Sequence, residues 1–172
     1  MDERLRTIQL LLLDVDGVMT DGGIIYDGNG LETKVFNVKD GHGIKMLQRA
    51  GIEVGIITGR SSAVVTVRAQ ELGIGLLYQG ALRKLESYDD VKLKTGLGDS
   101  QIAYMGDDII DVPVMRRVGF AAAPQDALAE AKQAAHYIAS RNGGQGAVRE
   151  VCDLILKGRG VWDEITARYE LC

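Results

Sequence analysis

Short apolar runs alternate along this chain with longer segments in which apolar residues recur at helical spacing. The pattern predicts strands near residues 8–14, 54–57, 76–78, 102–105 and 120–122, and an edge strand at 137–139. It predicts helices over about 42–50, 61–72, 84–94, 109–118 and 146–156, the second capped by Ser61, and a further helix that begins at Asp126. Such alternation is typical of a parallel sheet covered on both faces. We therefore expect an α/β fold with a Rossmann-like, doubly wound parallel sheet.

One segment departs from this rhythm. Between Gly22 and Val38 the chain favours β-structure, with a strong turn signal over residues 27–30. We predict a β-hairpin over about 22–38 that projects from the loop after the first strand. A tail over about 158–172 is predicted to form a short helix. The chain contains no linker or repeat, so residues 1–172 are expected to form a single domain.

The charge and the cysteines limit the classes of partner. The net charge is −4 without a long basic block, which argues against nucleic acid or an anionic membrane as partner. The first apolar run is too short to span a membrane and follows Asp2 and Glu3, so neither an anchor nor a signal peptide is expected. Cys152 and Cys172 lack metal-ligating neighbours and are interpreted as reduced thiols of a cytoplasmic protein.

Polar residues that suit phosphoryl transfer follow four of the predicted strands. Asp14 and Asp16 end the first strand, where two carboxylates would form an anionic cavity that attracts a hard cation such as Mg²⁺. One carboxylate can attack phosphorus, while another protonates the leaving oxygen and later activates water. A hydroxyl and an ammonium group can bind the phosphoryl oxygens. The candidates are Asp14, Asp16, Thr58, Lys84, Asp107, Asp108 and Asp111.

Two simpler interpretations stay open at this point. The pair Asp14 and Asp16 could be an acidic corner between a strand and a loop, without any chemistry. Asp108 and Asp111 could equally cap the following helix and interact with its dipole.

The order of these motifs resembles the haloacid dehalogenase superfamily, in which an apolar strand ending Asp-x-Asp precedes a Thr or Ser, a Lys and an acidic motif. The resemblance implies that Asp14 is the nucleophile and Asp16 the general acid and base. It implies that Thr58 and Lys84 hold the phosphoryl group. It also implies a Mg²⁺ site formed by Asp14, the backbone carbonyl of Asp16, and Asp107, with supporting roles for Asp108 and Asp111.

Many members of this superfamily carry a cap domain over the active site, and this chain has no room for one. Only the predicted hairpin and one helix separate Asp16 from Thr58, and only a helix and a strand separate Lys84 from Asp107. An uncapped site cannot by itself exclude water or grip a small substrate. We therefore expect either a large substrate or a lid from another subunit, and favour an oligomer in which the apolar hairpins pack together.

Nearly the whole chain resembles the 3-deoxy-D-manno-octulosonate 8-phosphate (KDO 8-phosphate) phosphatases, a tetrameric capless family of lipopolysaccharide biosynthesis. Segments 36–41, 56–60, 106–115 and 143–150 carry this resemblance. It implies a small phosphorylated sugar acid as substrate, Mg²⁺ as cofactor, and a homotetramer in which a neighbouring subunit covers the site. The implied substrate-binding residues are Asn37, Val38, Lys39, Asp40, Gly41, Lys45, Arg60, Arg68 and Lys84.

Several alternatives accompany this interpretation. Lys45 and Arg68 could be ordinary solvated residues on helix surfaces. The substrate could be a nonulosonate 9-phosphate of the sialic-acid type. The domain could also be a non-catalytic oligomerisation module of the same fold, although its complete set of candidate catalytic residues argues against this.

Overall fold

The computed structural model of the protein describes residues 3–170. Within that range, six parallel strands form a sheet in the order β5-β4-β1-β6-β7-β8, and two antiparallel strands, β2 and β3, form a separate hairpin. The strands are β1 (Leu10–Leu13), β2 (Ile25–Tyr26), β3 (Glu32–Thr33), β4 (Glu53–Ile57), β5 (Leu76–Tyr78), β6 (Ile102–Met105), β7 (Phe120–Ala123) and β8 (Tyr137–Ile138).

The helices cover both faces of the sheet. They are α1 (Val38–Arg49), α2 (Ala63–Leu72), α3 (Lys84–Thr95), α4 (Val112–Met115), α5 (Ala129–Ala134), α6 (Ala147–Gly158) and α7 (Trp162–Ala167), with short 3₁₀ helices at Glu3–Thr7 and Asp99–Gln101. Side chains of β1 alternate between two cores. Leu11 and Leu13 pack with α1, α2 and α6, whereas Leu10 and Leu12 pack with α3, α4 and α5. The predicted doubly wound α/β fold is confirmed.

The strand order shows where along the carboxyl ends of the strands a ligand can bind. The chain runs from β1 to β4 and β5 on one side, and then crosses to β6 on the other side of β1. The carboxyl ends of β1, β4 and β6 therefore meet at the point where the strand order reverses, which is where such sheets bind ligands. Asp14, Thr58 and Asp107 lie within two residues of these strand ends. Between β1 and β4 the described chain forms only the hairpin and α1, so no separate cap is present among residues 3–170.

The boundary between the hairpin and α1 differs from the prediction. Helix α1 begins at Val38 rather than near residue 42, and the side chain of Asn37 caps it by accepting a hydrogen bond from the Lys39 N–H at 2.8 Å. Gly41 and Gly43 within α1 are poor helix formers, but a β-carbon at Gly43 would press against Arg149 and Cys152 of α6. Close packing of the two helices therefore overrides the propensity that made the start of α1 hard to predict.

Three other predicted boundaries were wrong. Ser62, rather than Ser61, precedes α2. The Asp126 carboxylate accepts a hydrogen bond from the Gly143 N–H at 2.9 Å, while α5 begins three residues later. Helix α4 covers only Val112–Met115 of the predicted 109–118.

The two cysteines differ in how far the structure describes them. Cys152 is buried and forms no disulfide within the described chain, whereas Cys172 lies outside the described residues. No helix among residues 3–170 has the length and apolar character needed to cross a membrane.

Candidate active site

The structure brings the main predicted site residues to one cavity at the carboxyl ends of β1, β4 and β6. The cavity has a volume of about 130 Å³. Its lining residues are Asp14, Asp16, Thr58, Gly59, Arg60, Asp107, Asp108 and Ile110. Lys84 reaches the same place from the first turn of α3 and contacts Asp14. A sheet edge, rather than a cleft between two domains, therefore assembles this site.

Asp14 is a buried carboxylate held at both oxygens. The Val15 N–H donates to Oδ1 at 2.7 Å, and the Lys84 ammonium lies 2.9 Å from Oδ2. Burial is the largest influence on this group and raises its pKa to about 6. Lys84 opposes that rise, and the nearby Asp111 adds to it. The side chain is thus fixed in orientation beneath the cavity that it lines.

The Lys84 side chain is completely buried, and acidic neighbours keep it charged. Its ammonium lies 2.6 Å from Asp111 Oδ1 and 3.3 Å from the Tyr104 hydroxyl, in addition to its contact with Asp14. Burial acts against the charge, but Asp14 and Asp111 outweigh it and raise the pKa of Lys84. These three contacts match the three donors of an ammonium group, and the contact to Tyr104 is the longest.

Asp111 organises the acidic loop instead of facing the cavity. Its Oδ1 accepts from the Tyr104 hydroxyl at 2.5 Å as well as from Lys84. Its Oδ2 accepts the backbone N–H groups of Asp107 at 3.0 Å and Asp108 at 3.1 Å. Both oxygens are therefore engaged by donors. The alternative of helix capping is met only in part, because Asp111 binds N–H groups of the preceding loop and makes no side-chain cap to α4.

A group of acids fits a divalent cation. Carboxylate oxygens of Asp14, Asp107 and Asp111 lie within 4.8 Å of one another. Asp107 Oδ1 is buried and has no hydrogen-bond partner among residues 3–170. Burial, followed by repulsion from Asp14 and Asp111, raises the pKa of Asp107 to about 7. Each Asp111 oxygen accepts from two donors, whereas each Asp14 oxygen has one donor and Asp107 Oδ1 has none among the described residues. Asp14 and Asp107 therefore have oxygen lone pairs left for a cation, and oxygen ligands suit Mg²⁺.

Gly17 allows this acidic pair to come together. Its φ angle is +90°, in the left-handed region that favours glycine. A β-carbon there would also collide with the Asp107 carboxylate. The glycine that follows Asp16 is therefore required both by the backbone turn and by the space that Asp107 occupies.

Asp16 is held by the hairpin, which the sequence pattern did not predict. The ammonium group of Lys34 contacts Asp16 Oδ1, and Arg60 Nε lies 3.7 Å from Oδ2. Glu32 Oε1 lies 3.3 Å from the Lys34 ammonium and accepts from Arg60 Nη2 at 2.8 Å. The Tyr26 hydroxyl accepts from the same Arg60 nitrogen at 3.3 Å. The polar side of the hairpin therefore covers the active site of its own chain.

The hairpin was predicted to project from the fold and to pack against other copies of itself, but one of its two sides packs on its own chain. Residues alternate sides along an extended strand. Glu32, Lys34 and Phe36 point toward the body of the protein, where Phe36 packs on the core. Leu31 and Val35 are about two-thirds exposed. This alternation was visible in the sequence and placed Lys34 on the same side as Phe36, but it did not indicate that this side faces Asp16.

Thr58 and Asp108 line the cavity, and hydrogen bonds hold the backbone of Thr58 and the side chain of Asp108 in place. Thr58 is buried; its N–H donates to the Tyr78 carbonyl at 2.9 Å, and its carbonyl accepts from the Ala81 N–H at 3.0 Å. The Asp108 carboxylate accepts from the Ile109 N–H at 2.5 Å. Thr58 is thus fixed at the end of β4, and Asp108 has a local backbone partner as well as a place at the cavity.

Most of the other predicted substrate-binding residues do not line this cavity. Asp40 Oδ1 accepts the Arg149 N–H at 2.8 Å, and burial raises the pKa of Asp40. Lys45 donates to the Leu72 carbonyl at 2.7 Å. Arg68 forms an ion pair with Glu71 at 3.2 Å. Lys45 and Arg68 are therefore partly buried residues with structural partners, and neither is a freely solvated helix residue.

The start of α1 holds the remaining predicted residues. The Asn37 side chain also donates to the Gly144 carbonyl at 3.2 Å, and Gly41 lies against Arg68. Val38 and Lys39 are exposed, and Lys39 lines a separate cavity of about 410 Å³ together with Arg141. None of these residues belongs to the lining of the catalytic cavity in the described part of the chain.

The tail packs on its own chain as far as the structure describes it. The Tyr169 hydroxyl lies 2.9 Å from His42 Nε2 and accepts from Arg49 Nη1 at 2.5 Å, so the end of the tail rests on α1. Of the predicted tail, residues 171–172 lie outside the described range.

Comparison with known proteins shows close relatives along nearly the full chain. No family model matches the sequence. The KDO 8-phosphate phosphatase of Escherichia coli (strain K12) is 48% identical over 157 residues, covering 91% of this chain and 84% of that protein. The crystal structure of the Yersinia pestis enzyme of the same name aligns with a TM-score of 0.92 and 46% identity, over 94% of this chain and 87% of that one.

A second solved structure bears on ligands. The KDO 8-phosphate phosphatase of Moraxella catarrhalis, determined in complex with a magnesium ion, a phosphate ion and KDO, aligns with a TM-score of 0.95 and 42% identity. The alignment covers 97% of this chain and 96% of that one.

Proposed function

This chain belongs to the KDO 8-phosphate phosphatase family of the haloacid dehalogenase superfamily, and from that premise we propose that it hydrolyses KDO 8-phosphate to KDO and inorganic phosphate with Mg²⁺. One observation of this structure carries the proposal. The buried Asp14 and the partly buried Asp107 meet at the end of the sheet beside the charged Lys84, and one oxygen of Asp107 lacks a hydrogen-bond partner among the described residues. This arrangement suits a cation and a phosphoryl group together.

The reaction proceeds in two displacements at phosphorus. In the first, a carboxylate oxygen of Asp14 attacks phosphorus, the bond from phosphorus to the sugar oxygen breaks, and Asp16 gives that oxygen its proton. In the second, Asp16 takes a proton from water, the water oxygen attacks phosphorus, and the bond to Asp14 breaks. Phosphate leaves, and both aspartates return to their starting states.

The surrounding residues bind and orient the phosphoryl group. Thr58 offers a hydroxyl at the cavity wall, and Arg60 Nε is buried without a hydrogen-bond partner in residues 3–170. Lys84 can exchange its longest contact, to Tyr104, for a phosphoryl oxygen while keeping Asp14 and Asp111. Asp14, Asp107 and the backbone carbonyl of Asp16 would hold Mg²⁺, which supplies positive charge that offsets the repulsion between carboxylate and phosphate.

Among the predicted substrate-binding residues, two are best placed to meet the sugar acid. Arg60 lines the cavity, and Lys39 is exposed at the start of α1. A sugar acid phosphate carries two anionic ends, so cations beyond the phosphoryl site are expected. We propose that Arg60 binds within its own site and that Lys39 acts at a site shared with a neighbouring subunit. The structural contacts of Asp40, Lys45 and Arg68 favour a supporting role for those residues.

We also propose that the protein is a cytoplasmic homotetramer in which neighbouring subunits complete the lid. The hairpin exposes apolar side chains, which is unfavourable unless another surface covers them. These side chains belong to Ile24, Ile25, Leu31 and Val35. The buried thiol of Cys152 is compatible with a reducing compartment.

The assembly is tested by replacing Ile24 and Ile25 with Asp and measuring mass by analytical ultracentrifugation. We expect the tetramer to dissociate and turnover of the sugar phosphate to fall more than turnover of a small aryl phosphate, which needs less gripping. An unaltered protein that sediments as a fully active monomer would refute the proposed assembly.

The reaction is tested by measuring phosphate release from a panel of phosphate esters. The panel contains KDO 8-phosphate, a nonulosonate 9-phosphate, a hexose 6-phosphate and p-nitrophenyl phosphate, each with Mg²⁺ or with a chelator. We expect the highest kcat/KM for KDO 8-phosphate and no turnover after chelation. A higher kcat/KM for the nonulosonate ester, or no phosphate release from any ester, would overturn the proposal.

A further inference from the structure

We propose that Lys34 is a positioning residue for Asp16, which makes the hairpin a working part of the active site. The inference rests on the proposed function, because it assumes that Asp16 is the general acid and base. It concerns a residue that the motifs of the superfamily do not include and that lies 18 positions after Asp16 in the chain.

The burial of Lys34 is the first support. Its side chain is only 1% exposed, although it comes from a hairpin at the protein surface. A buried ammonium group is costly unless acidic groups surround it. Its two acidic partners are Asp16 and Glu32. An apolar residue could cover the core at this position without the desolvation cost of an ammonium group. The positive charge of Lys34 therefore points to a function beyond packing.

The rigidity of the hairpin is the second support. Asp27 Oδ1 accepts the N–H groups of Asn29 and Leu31, each at 2.8 Å, which fixes the turn. These hydrogen bonds hold the pKa of Asp27 below its usual range. Tyr26 and Glu32 are cross-strand partners, and both bind Arg60. The strand that directly precedes Lys34 is therefore tied to the catalytic loops at more than one point.

The third support is that the two carboxylate oxygens of Asp16 have different contacts. Lys34 contacts Oδ1, whereas within residues 3–170 Oδ2 has only the longer contact to Arg60 at 3.7 Å. Oδ2 is therefore the oxygen that remains available for proton transfer with the sugar oxygen and with water. A general acid must stay within hydrogen-bond reach of the group it protonates. By holding Oδ1, Lys34 sets the plane of the carboxylate and the direction of Oδ2.

The test compares Lys34→Met with the parent enzyme in single turnovers, in which release of the leaving group reports the first displacement alone. The substrates are KDO 8-phosphate, whose sugar oxygen needs a proton, and p-nitrophenyl phosphate, whose leaving group does not. We expect roughly a ten- to hundredfold loss for the sugar phosphate, which is part of the ~10²–10⁴-fold contribution of general acid–base catalysis. For the aryl phosphate we expect a loss below about threefold, because its departure needs little protonation.

Two further variants separate positioning from a purely structural effect. In a double-mutant cycle with Asp16→Asn, the losses for the sugar phosphate should fail to multiply, because both changes remove the same function. Lys34→Arg should recover part of the lost rate, since it keeps the positive charge. Glu32→Gln, which loosens Lys34 but leaves it in place, should give the same substrate pattern with a smaller loss. This last variant keeps the test informative if Lys34→Met folds poorly.

The control variant is Lys94→Met. Lys94 also pairs with an aspartate, Asp90 at 2.7 Å, but it lies outside the catalytic cavity. We expect it to retain the parent rates on both substrates. Equal losses for the two substrates in Lys34→Met, or losses that multiply in the double variant, would overturn the proposal about Lys34. Failure of the parent enzyme to hydrolyse KDO 8-phosphate would instead overturn the proposed function, and an alkyl phosphate would then replace it in the Lys34 test.

Discussion

The two acids of the Asp14–Asp16 pair are each held by a buried lysine, but the lysines come from different parts of the molecule. Lys84 holds Asp14 and starts a helix that packs on the central sheet. Lys34 holds Asp16 and lies just beyond a two-residue strand of the surface hairpin. The proposed nucleophile thus belongs to the core of the fold, and the proposed acid and base depends on the hairpin.

The active site thus has two halves, the residues around Asp14 and the residues around Asp16, and they differ in how freely they can vary. Around Asp14, the supporting residues Asp111 and Tyr104 are buried and bonded to each other. Around Asp16, the supporting residue Arg60 is 40% exposed, and the hairpin has an uncovered apolar side. We infer that the Asp14 half is common to the fold, while the Asp16 half responds to the substrate and to neighbouring subunits. Changes on each side test this contrast, from the largest expected effect to the smallest.

Asp14→Asn tests the core half directly. We expect turnover to fall by at least about 10³-fold, because the amide cannot form the acyl phosphate, and loss of a nucleophile removes the whole pathway. Phosphate release from KDO 8-phosphate measures this, with circular dichroism as the control for folding. A folded variant that keeps a tenth of the parent rate would show that Asp14 is not the nucleophile.

Metal removal tests the acidic cluster on the same side. Activity should vanish with a chelator and return with Mg²⁺, and Ca²⁺ should substitute poorly because it prefers more ligands at longer distances. Phosphate release after metal stripping and readdition provides the measurement. Full activity of the stripped protein would exclude the metal site.

The same cluster predicts a pH dependence. In the metal-free protein, the pKa values of Asp14 at about 6 and Asp107 at about 7 lie above the usual 3.8. The folded state therefore binds these protons more tightly than the unfolded state, so their contribution to stability is present below about pH 4 and is lost as the pH rises through 6 and 7. Mg²⁺ competes with the protons, so it should raise the melting temperature more at pH 8 than at pH 5. An equal rise at both pH values, or an unchanged rise in Asp107→Asn, would contradict this.

Asp16→Asn tests the half that depends on the hairpin. We expect a loss of ~10²–10⁴-fold on KDO 8-phosphate, as is typical for removal of a general acid and base. The first displacement on p-nitrophenyl phosphate should lose much less, and single-turnover release of both leaving groups measures the ratio. Equal losses in that step would argue against Asp16 as the acid.

Tyr104→Phe is expected to have the smallest effect on turnover and to disturb only the Asp14 half of the site. It removes the 2.5 Å hydrogen bond to Asp111 and the contact with Lys84, at a cost of about 1 kcal/mol in the free energy of unfolding. Since Lys84 keeps both carboxylates, kcat should fall only a few-fold, equally for sugar and aryl phosphates. Urea unfolding and steady-state kinetics measure the two effects, and a loss confined to the sugar phosphate would contradict the division into halves.

Prediction from sequence succeeded where it rested on local apolar patterns or on the geometry of a parallel sheet. Apolar runs located β5 and β6 at their observed bounds, because a strand of a sheet that helices cover on both faces is apolar on both faces. The carboxyl ends of parallel strands must then meet, so the strand pattern was enough to predict that Asp14, Thr58 and Asp107 lie together. Prediction failed at the start of α1, where packing against α2 at Gly41 and against α6 at Gly43 supports glycines that a helix would otherwise disfavour.

By itself, the sequence determined the doubly wound sheet, the hairpin and the residues at the strand ends, because each of these follows from periodicity and the rule that strand ends meet. Only the tertiary structure decided which way the hairpin folds and what Lys34 touches. Alternation along a strand separates two sides but does not say which side faces a catalytic loop. Only the tertiary structure likewise showed that Asp111 supports Lys84 and is not free to bind a metal, because four donors converge on its two oxygens.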